Sequence, residues 1–144
     1  MSNDSEVYLS HHPDWEKTDL QWSVVPWGFR KMLNWIADRY PGLPLYVTEN
    51  GCAVAEPDVT TAKNDEFRCH FMSGYIDAMK EAILVDGNDV RGYFVWSLID
   101  NFESAFGYSK RLGLIRCDFN TLERIPKKSY YHYRKIIEIS HLKG

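Results

Sequence analysis

The run Leu45-Tyr46-Val47-Thr48-Glu49-Asn50-Gly51 constrains this chain more than any other. An apolar, β-forming stretch ends abruptly in a carboxylate, an amide and a glycine. Strands of that composition are buried on both faces, as in a parallel sheet. A carboxylate at the end of such a strand sits on the carboxyl-terminal rim, where (β/α) barrels carry their active sites. A glycine after it lets the backbone turn sharply. Taken alone, the run reads equally well as a turn with a charged lip.

A second run repeats the pattern: Val90-Arg91-Gly92-Tyr93-Phe94-Val95-Trp96-Ser97-Leu98-Ile99-Asp100-Asn101-Phe102-Glu103. Again an apolar strand ends in polar groups, here Asp100, Asn101 and Glu103. Helical signals surround the two runs. Pro26 opens a helix, as expected in a first helical turn. Phe29, Met32, Leu33 and Ile36 form its apolar stripe, and Tyr40-Pro41-Gly42 ends it. The first strand is predicted over residues 43–48. Residues 53–60 form a loop with Pro57-Asp58 as its turn. A long helix is predicted over 61–84, with Phe67, Phe71, Tyr75, Met79 and Ile83 four apart on a core-facing side.

Asp86-Gly87-Asn88-Asp89 breaks the chain before the second strand, predicted over 90–97. A loop over 98–111 and a short extended piece over 112–117 follow. The last helix, over 128–139, turns Tyr130, Tyr133, Ile136 and Ile137 inward. Residues 1–21 read as an irregular lead-in. His11 and His12 belong to a solvated loop, since no carboxylate or further histidine follows at helical spacing. The order helix, strand, helix, strand, helix is the tail of an alternating α/β protein with a parallel sheet, in a single domain over 1–144. The two strands are expected to be parallel neighbours joined by a right-handed crossover, with Glu49 and Glu103 on one rim.

The chain has 144 residues. That suffices for one core but falls short of the roughly 200 residues of a complete barrel. The net charge of −3 makes nucleic acid and anionic membranes poor partners. No apolar run approaches the roughly 20 residues of a membrane span. The polar, acidic start shows no signal peptide, and the compartment stays open. Cys52, Cys69 and Cys117 fit neither a zinc spacing nor a disulfide framework, and read as buried free thiols. No metal or cofactor is expected. Aromatic residues make up 15% of the chain, which suits a packed α/β core and equally a sugar site.

Several motifs together carry a resemblance. They are Pro26-Trp27-Gly28 before a helix, Thr48-Glu49-Asn50-Gly51, the run from Trp96 to Glu103, Gly107-Tyr108-Ser109-Lys110-Arg111-Leu112-Gly113-Leu114, and Asp118-Phe119. In this order and spacing, from about Trp22 to Ile137, they resemble glycoside hydrolase family 1, the retaining β-glycosidases that include β-glucosidases and the lactase type. The resemblance implies an α/β fold that is part of a (β/α)8 TIM barrel. The strands here would be its carboxyl-terminal pair, the seventh and eighth.

The resemblance also implies a β-glycoside carbohydrate substrate, hydrolysed through a glycosyl-enzyme. Glu49 matches the family's nucleophile. Asn50, its neighbour on the strand, points to the opposite face and is expected to fix the loop. The family's acid/base carboxyl group belongs to an Asn-Glu-Pro motif on an earlier strand, and that motif does not occur here. Glu66 and Glu81, on the long helix, read as solvent-facing. The chain is therefore expected to carry half of a catalytic pair, to need the amino-terminal portion of the barrel, and to be inactive in isolation.

Trp96 resembles the tryptophan that walls the family's sugar site. Glu103 resembles the carboxylate that accepts hydrogen bonds from glycone hydroxyls, and it argues against a 6-phosphosugar, whose phosphate it would repel. Asp100 and Asn101 are expected to brace the loop, Phe102 to be core, and Lys110 and Arg111 to be a solvated pair. The family's tryptophan after Glu103 is replaced by Ser104, which keeps a donor but lacks the ring. Cys52 after Gly51 is a second departure. The alternatives are a non-catalytic glycan-binding member and a truncated, functionless product. S-glycosides stay within reach of the resemblance.

Overall fold

The computed structural model describes residues 12–141. His11 and the first half of the lead-in lie outside the described residues. The first helix, α1 (Pro26–Arg39), packs Phe29 and Leu33 inward. Met32 departs from the expected stripe and is half exposed. The contact with the neighbouring helix follows positions 29 and 33, one row four residues apart. Strand β1 (Leu45–Asn50) begins after Pro44, which has no N–H for a ladder. It runs two residues beyond the expected end.

The long helix is two helices, α2 (Val59–Lys63) and α3 (Glu66–Leu84). Asp58 starts α2 early by accepting from the Thr61 amide at 2.7 Å, a side-chain N-cap. The break falls at Asn64-Asp65 because Asp65 is drawn inward. Its carboxylate, itself buried, accepts from the Ser129 amide at 2.9 Å and the Ser129 hydroxyl at 2.5 Å, and it pairs with Arg68.

Strand β2 (Val90–Val95) runs parallel to β1, pairing Leu45 with Val90, Tyr46 with Gly92, Val47 with Tyr93 and Asn50 with Val95. One face of this pair is covered. Val47 and Val90 share a core with Phe29 and Leu33 of α1 and with Phe71, Met72, Tyr75 and Ile76 of α3. Tyr130, Tyr133 and Ile136 close that core from α4 (Lys128–His141). Ile137, expected on the same face, is 39% exposed. Among the described residues no helix lies over the other face of the sheet, where Tyr46 and Phe94 are exposed.

The extended piece near Cys117 is a strand, β3 (Ile115–Cys117), paired antiparallel with β4 (Arg124–Pro126). Asp118 shapes the turn between them by accepting from the amides of Asn120 and Thr121 at 2.8 and 3.0 Å. Cys52, Cys69 and Cys117 are buried free thiols. Among the described residues no helix is long and apolar enough to cross a membrane, and the strands do not close into a barrel.

Candidate functional site

Because β1 and β2 are parallel neighbours, their carboxyl-terminal ends emerge on one rim. Glu49 is the next-to-last residue of β1, and Trp96 follows directly on β2. A pocket of about 440 Å³ opens there, lined by Glu49, Trp96, Glu103 and Ser104, the four residues singled out from the sequence. Trp96 Nε1 lies 3.4 Å from Glu103 Oε2 and donates to it. Thr18 and Trp22 line the same pocket. Residues 12–21 are therefore partly wall rather than lead-in. Thr18 is buried, and its Oγ1 accepts from the amides of Leu20 and Trp22, each at 3.3 Å.

Asn50, expected on the opposite face, lines the same pocket as Glu49, because the register between β1 and β2 shifts between Val47 and Asn50 and breaks the simple alternation. Its Oδ1 accepts from the Tyr93 hydroxyl at 2.7 Å, and its carbonyl accepts from the Trp96 amide at 2.9 Å. These bonds hold the end of β1 to the end of β2. Gly51 corrects the expected reason for a glycine. Among the described glycines only Gly42, Gly87 and Gly107 have positive φ. Gly51 is needed for closeness, since a Cβ there would lie 1.7 Å from the Trp96 carbonyl oxygen.

The loop after β2 carries Glu103 on a built support. Asp100 is buried and accepts four hydrogen bonds. Its Oδ1 takes Gly113 N at 2.9 Å and Lys127 Nζ at 3.1 Å; its Oδ2 takes Arg111 at 3.0 Å and Cys117 N at 3.3 Å. Asn101 donates to Ser97 Oγ at 3.0 Å. Both residues thus brace the loop as expected. Phe102 does not join the core: it is 61% exposed and meets Tyr108 edge-on. Asp100 takes the inward place, and Phe102 is left outside. Glu103 exchanges backbone hydrogen bonds with Gly107 at 2.8 and 3.0 Å, closing a short 3-10 turn over Ser104–Phe106.

Lys110 and Arg111 are not a solvated pair. Both are partly buried and paired, Lys110 with Asp19 at 2.9 Å and Arg111 with Asp100. Arg111 also lies over the Phe119 ring. Arg111 belongs to a cluster of buried charge that the sequence reading missed. Lys127 Nζ, fully buried, donates to Glu56 at 2.6 Å as well as to Asp100. Glu56 accepts from Arg68 at 2.9 Å, and Arg68 donates onward to the Arg111 carbonyl at 2.8 Å. Burial pushes the Lys127 ammonium below the usual lysine range, with Arg68 acting in the same direction and Asp100 and Glu56 opposing it. The cluster joins the loop after Glu49 to the loop before Glu103. Glu66 and Glu81 lie on the surface as expected, paired with Lys128 and Arg30. Among the described residues no group of His, Cys, Asp and Glu is placed to hold a metal ion.

Comparison with known proteins places the fold. Residues 1–142 match Glycosyl hydrolase family 1. The bifunctional β-D-glucosidase/β-D-fucosidase of Bifidobacterium breve is 42% identical over 83% of this chain and 27% of its own length. The 6-phospho-β-galactosidase of Streptococcus mutans is 39% identical over 85% of this chain and 26% of its own length. A solved structure, the family 1 β-glucosidase of Thermotoga maritima in complex with isofagomine lactam, superposes with a TM-score of 0.86 at 35% identity. It covers 94% of this chain and 30% of that chain. The chain thus spans about a quarter to a third of the length of these relatives, and its fold is part of a (β/α)8 barrel. With its family motifs in order on that partial barrel, the chain belongs to glycosyl hydrolase family 1.

Proposed function

We propose that the chain supplies the nucleophile and part of the glycone site of a retaining β-glycosidase acting on terminal β-linked glucosides or galactosides. The observation that carries this reading is the shared pocket, where Glu49, Trp96 and Glu103 converge from the ends of two adjacent parallel strands. Retaining hydrolysis needs two carboxyl groups about 5–5.5 Å apart. Glu49 attacks the anomeric carbon and forms the glycosyl-enzyme. The second group protonates the departing oxygen and then activates water. Glu103 is engaged with Trp96 and suits the other task, accepting two glycone hydroxyls side by side. Its charge favours an unphosphorylated sugar. The acid/base carboxyl group then comes from outside the described residues.

The test is hydrolysis of aryl β-glucosides and β-galactosides. The chain alone is expected to be inactive. Supplied with the rest of a family 1 barrel, it is expected to hydrolyse both sugars. Glu49→Ala should abolish that activity, and Glu49→Gly should regain part of it with added formate or azide, small anions that fill the vacated position. Wild-type turnover by Glu49→Ala would overturn the assignment. Tight sugar binding without turnover in the assembled wild type would favour a glycan-binding role.

A further inference from the structure

We propose that Tyr93 is a positioning residue for the nucleophile: its hydroxyl clamps a β-bulge that turns Glu49 off the core-facing side of β1 and into the pocket. The inference rests on the reading above and names what aims Glu49.

The strand register carries the argument. Val47 pairs with Tyr93, and Asn50 with Val95. Between these pairs β1 holds Thr48 and Glu49, whereas β2 holds Phe94 alone. An extra residue in one strand is a bulge, and bulges beside active sites re-aim side chains. Strict alternation would put Glu49 on the same face as Val47. That face is core, where Val47 meets Phe71 and Met72, and a carboxylate buried there without partners is costly. With the extra residue, Thr48 and Glu49 are exposed in succession, and Glu49 lines the pocket.

A bulge-free arrangement with the same end pairs exists. The register also shifts between Leu45 and Tyr46, this time with the extra residue, Arg91, in β2. The two shifts cancel, so the pairs Leu45–Val90 and Asn50–Val95 keep one offset. Sliding Tyr46 and Val47 back by one position removes both irregularities and turns Glu49 to the core. Something must hold the bulged form.

Tyr93 spans the bulge. Its backbone stands opposite Val47 at one end, and its hydroxyl donates to Asn50 Oδ1 at the other, at 2.7 Å. The bulge-free pairing would move Tyr93 opposite Thr48 and take the hydroxyl off its mark. The Tyr93 carbonyl accepts from the Tyr133 hydroxyl of α4 at 3.0 Å, which fixes Tyr93 from the helix layer. Burial pushes the Tyr93 hydroxyl above the usual tyrosine range, so it stays protonated and a donor. The Asn50 carbonyl in turn takes the Trp96 amide at 2.9 Å. The clamp therefore sets Glu49 and Trp96 together.

The test uses Tyr93→Phe, which keeps the ring and removes the hydroxyl. In the chain itself, amide exchange is followed by NMR. Trp96 should exchange about tenfold faster in the variant, the scale of one lost hydrogen bond. Leu45, whose amide donates to the Asp89 carbonyl at 2.8 Å at the other end of the pair, should keep its rate. An unchanged Trp96 rate overturns the clamp, whatever the turnover. Turnover is read in a complete barrel, with this chain in place of the segment it matches in the Thermotoga maritima β-glucosidase. There Tyr93→Phe should lower kcat on aryl β-glucosides by about tenfold or more and leave KM in place, the pattern of a misaimed group with binding intact. Asn50→Ala should do the same, and the double variant should be no slower than either single one, since both remove one clamp. A raised KM with unchanged kcat overturns the proposal, as do losses that multiply in the double variant. An inactive Glu49→Ala beside a fully active Tyr93→Phe keeps the nucleophile and removes the clamp. Faster exchange at Trp96 in a barrel whose turnover survives Glu49→Ala leaves the clamped bulge standing and sinks the catalytic reading instead.

Discussion

Gly51 and the Trp96 carbonyl are so close that a methyl group on the glycine would lie 1.7 Å from the oxygen and 2.7 Å from its carbon. The obstacle is backbone, so no side-chain rotation relieves it. This contact sets how near the end of β1 comes to the end of β2, and hence how near Glu49 comes to Trp96. Gly51→Ala must push the strand ends apart. We expect a stability loss of about 1–3 kcal/mol or more, the usual cost of overpacking, together with a shifted Trp96 fluorescence. Urea titration of the chain measures the first. An unchanged midpoint would show that the two backbones are not held together.

Lys127 places one ammonium between two buried carboxylates, Glu56 at 2.6 Å and Asp100 at 3.1 Å. Lys127→Met keeps the stem but removes the cation shared by both, leaving Glu56 to Arg68 and Asp100 to Arg111. Removing one partner of a buried ionic group costs about 3–5 kcal/mol. Lys128→Met, at the adjacent exposed position, should leave the urea midpoint in place. Equal midpoints for the two variants would mean that the buried cluster contributes nothing to the fold.

Acid should loosen the clamp between α1 and the turn before β2. Arg30, and after it Asn34, hold the Asp86 carboxyl down to about 2. The folded value lies below the ordinary carboxyl value of about 4. The stabilisation is therefore complete above about pH 4 and is lost as pH falls from there towards about 2. Asp86→Asn should remove that part of the pH dependence. Urea midpoints of both proteins across the window decide it, and parallel curves would rule the clamp out as the source.

The thiols offer an independent check on the core. Burial pushes Cys52 up to about 12 and Cys69 to about 11, so neither forms the reactive thiolate at pH 8. Both should resist a thiol-reactive disulfide reagent in the folded chain and react in denaturant. Rapid labelling in the folded state would contradict the packing around the loop after β1 for Cys52, and around the start of α3 for Cys69.

Local patterns made the frame legible. The stripes through Phe71 and Tyr75, the apolar runs of β1 and β2, and the polar residues at their ends all rest on periodicity within a few neighbours. What escaped depends on distant partners. Asp65 interrupts a helical pattern because Ser129 waits 64 positions away. Glu56, Arg68 and Lys127 look like surface charge in sequence, since nothing local announces that they meet each other and Asp100. Phe102 reads as core until Asp100 is seen to take the inward place. Gly51 signals a turn in sequence, and only the nearness of Trp96 shows that it serves packing. Strands β3 and β4, three residues each, are too short to carry an alternation.

We propose Ser104 as the lever on sugar choice. It lines the pocket directly after Glu103, where the resemblance implies a tryptophan. Its φ of 26° lies where side chains seldom sit, so the tight turn closed by Glu103 and Gly107 aims whatever stands at 104. Serine keeps a hydrogen-bond donor but offers no ring for a sugar face. One buried hydrogen bond left unmade costs about 1–3 kcal/mol, on the order of tenfold in discrimination. In the assembled enzyme, wild type should therefore separate glucosides, galactosides and fucosides poorly, and Ser104→Trp should sharpen the separation. Ser104→Ala isolates the donor, because it removes the hydroxyl without adding a ring. The measurement is the ratio of kcat/KM among the three sugars for each protein. Ratios that do not move between wild type and Ser104→Trp would show that this position does not read the glycone.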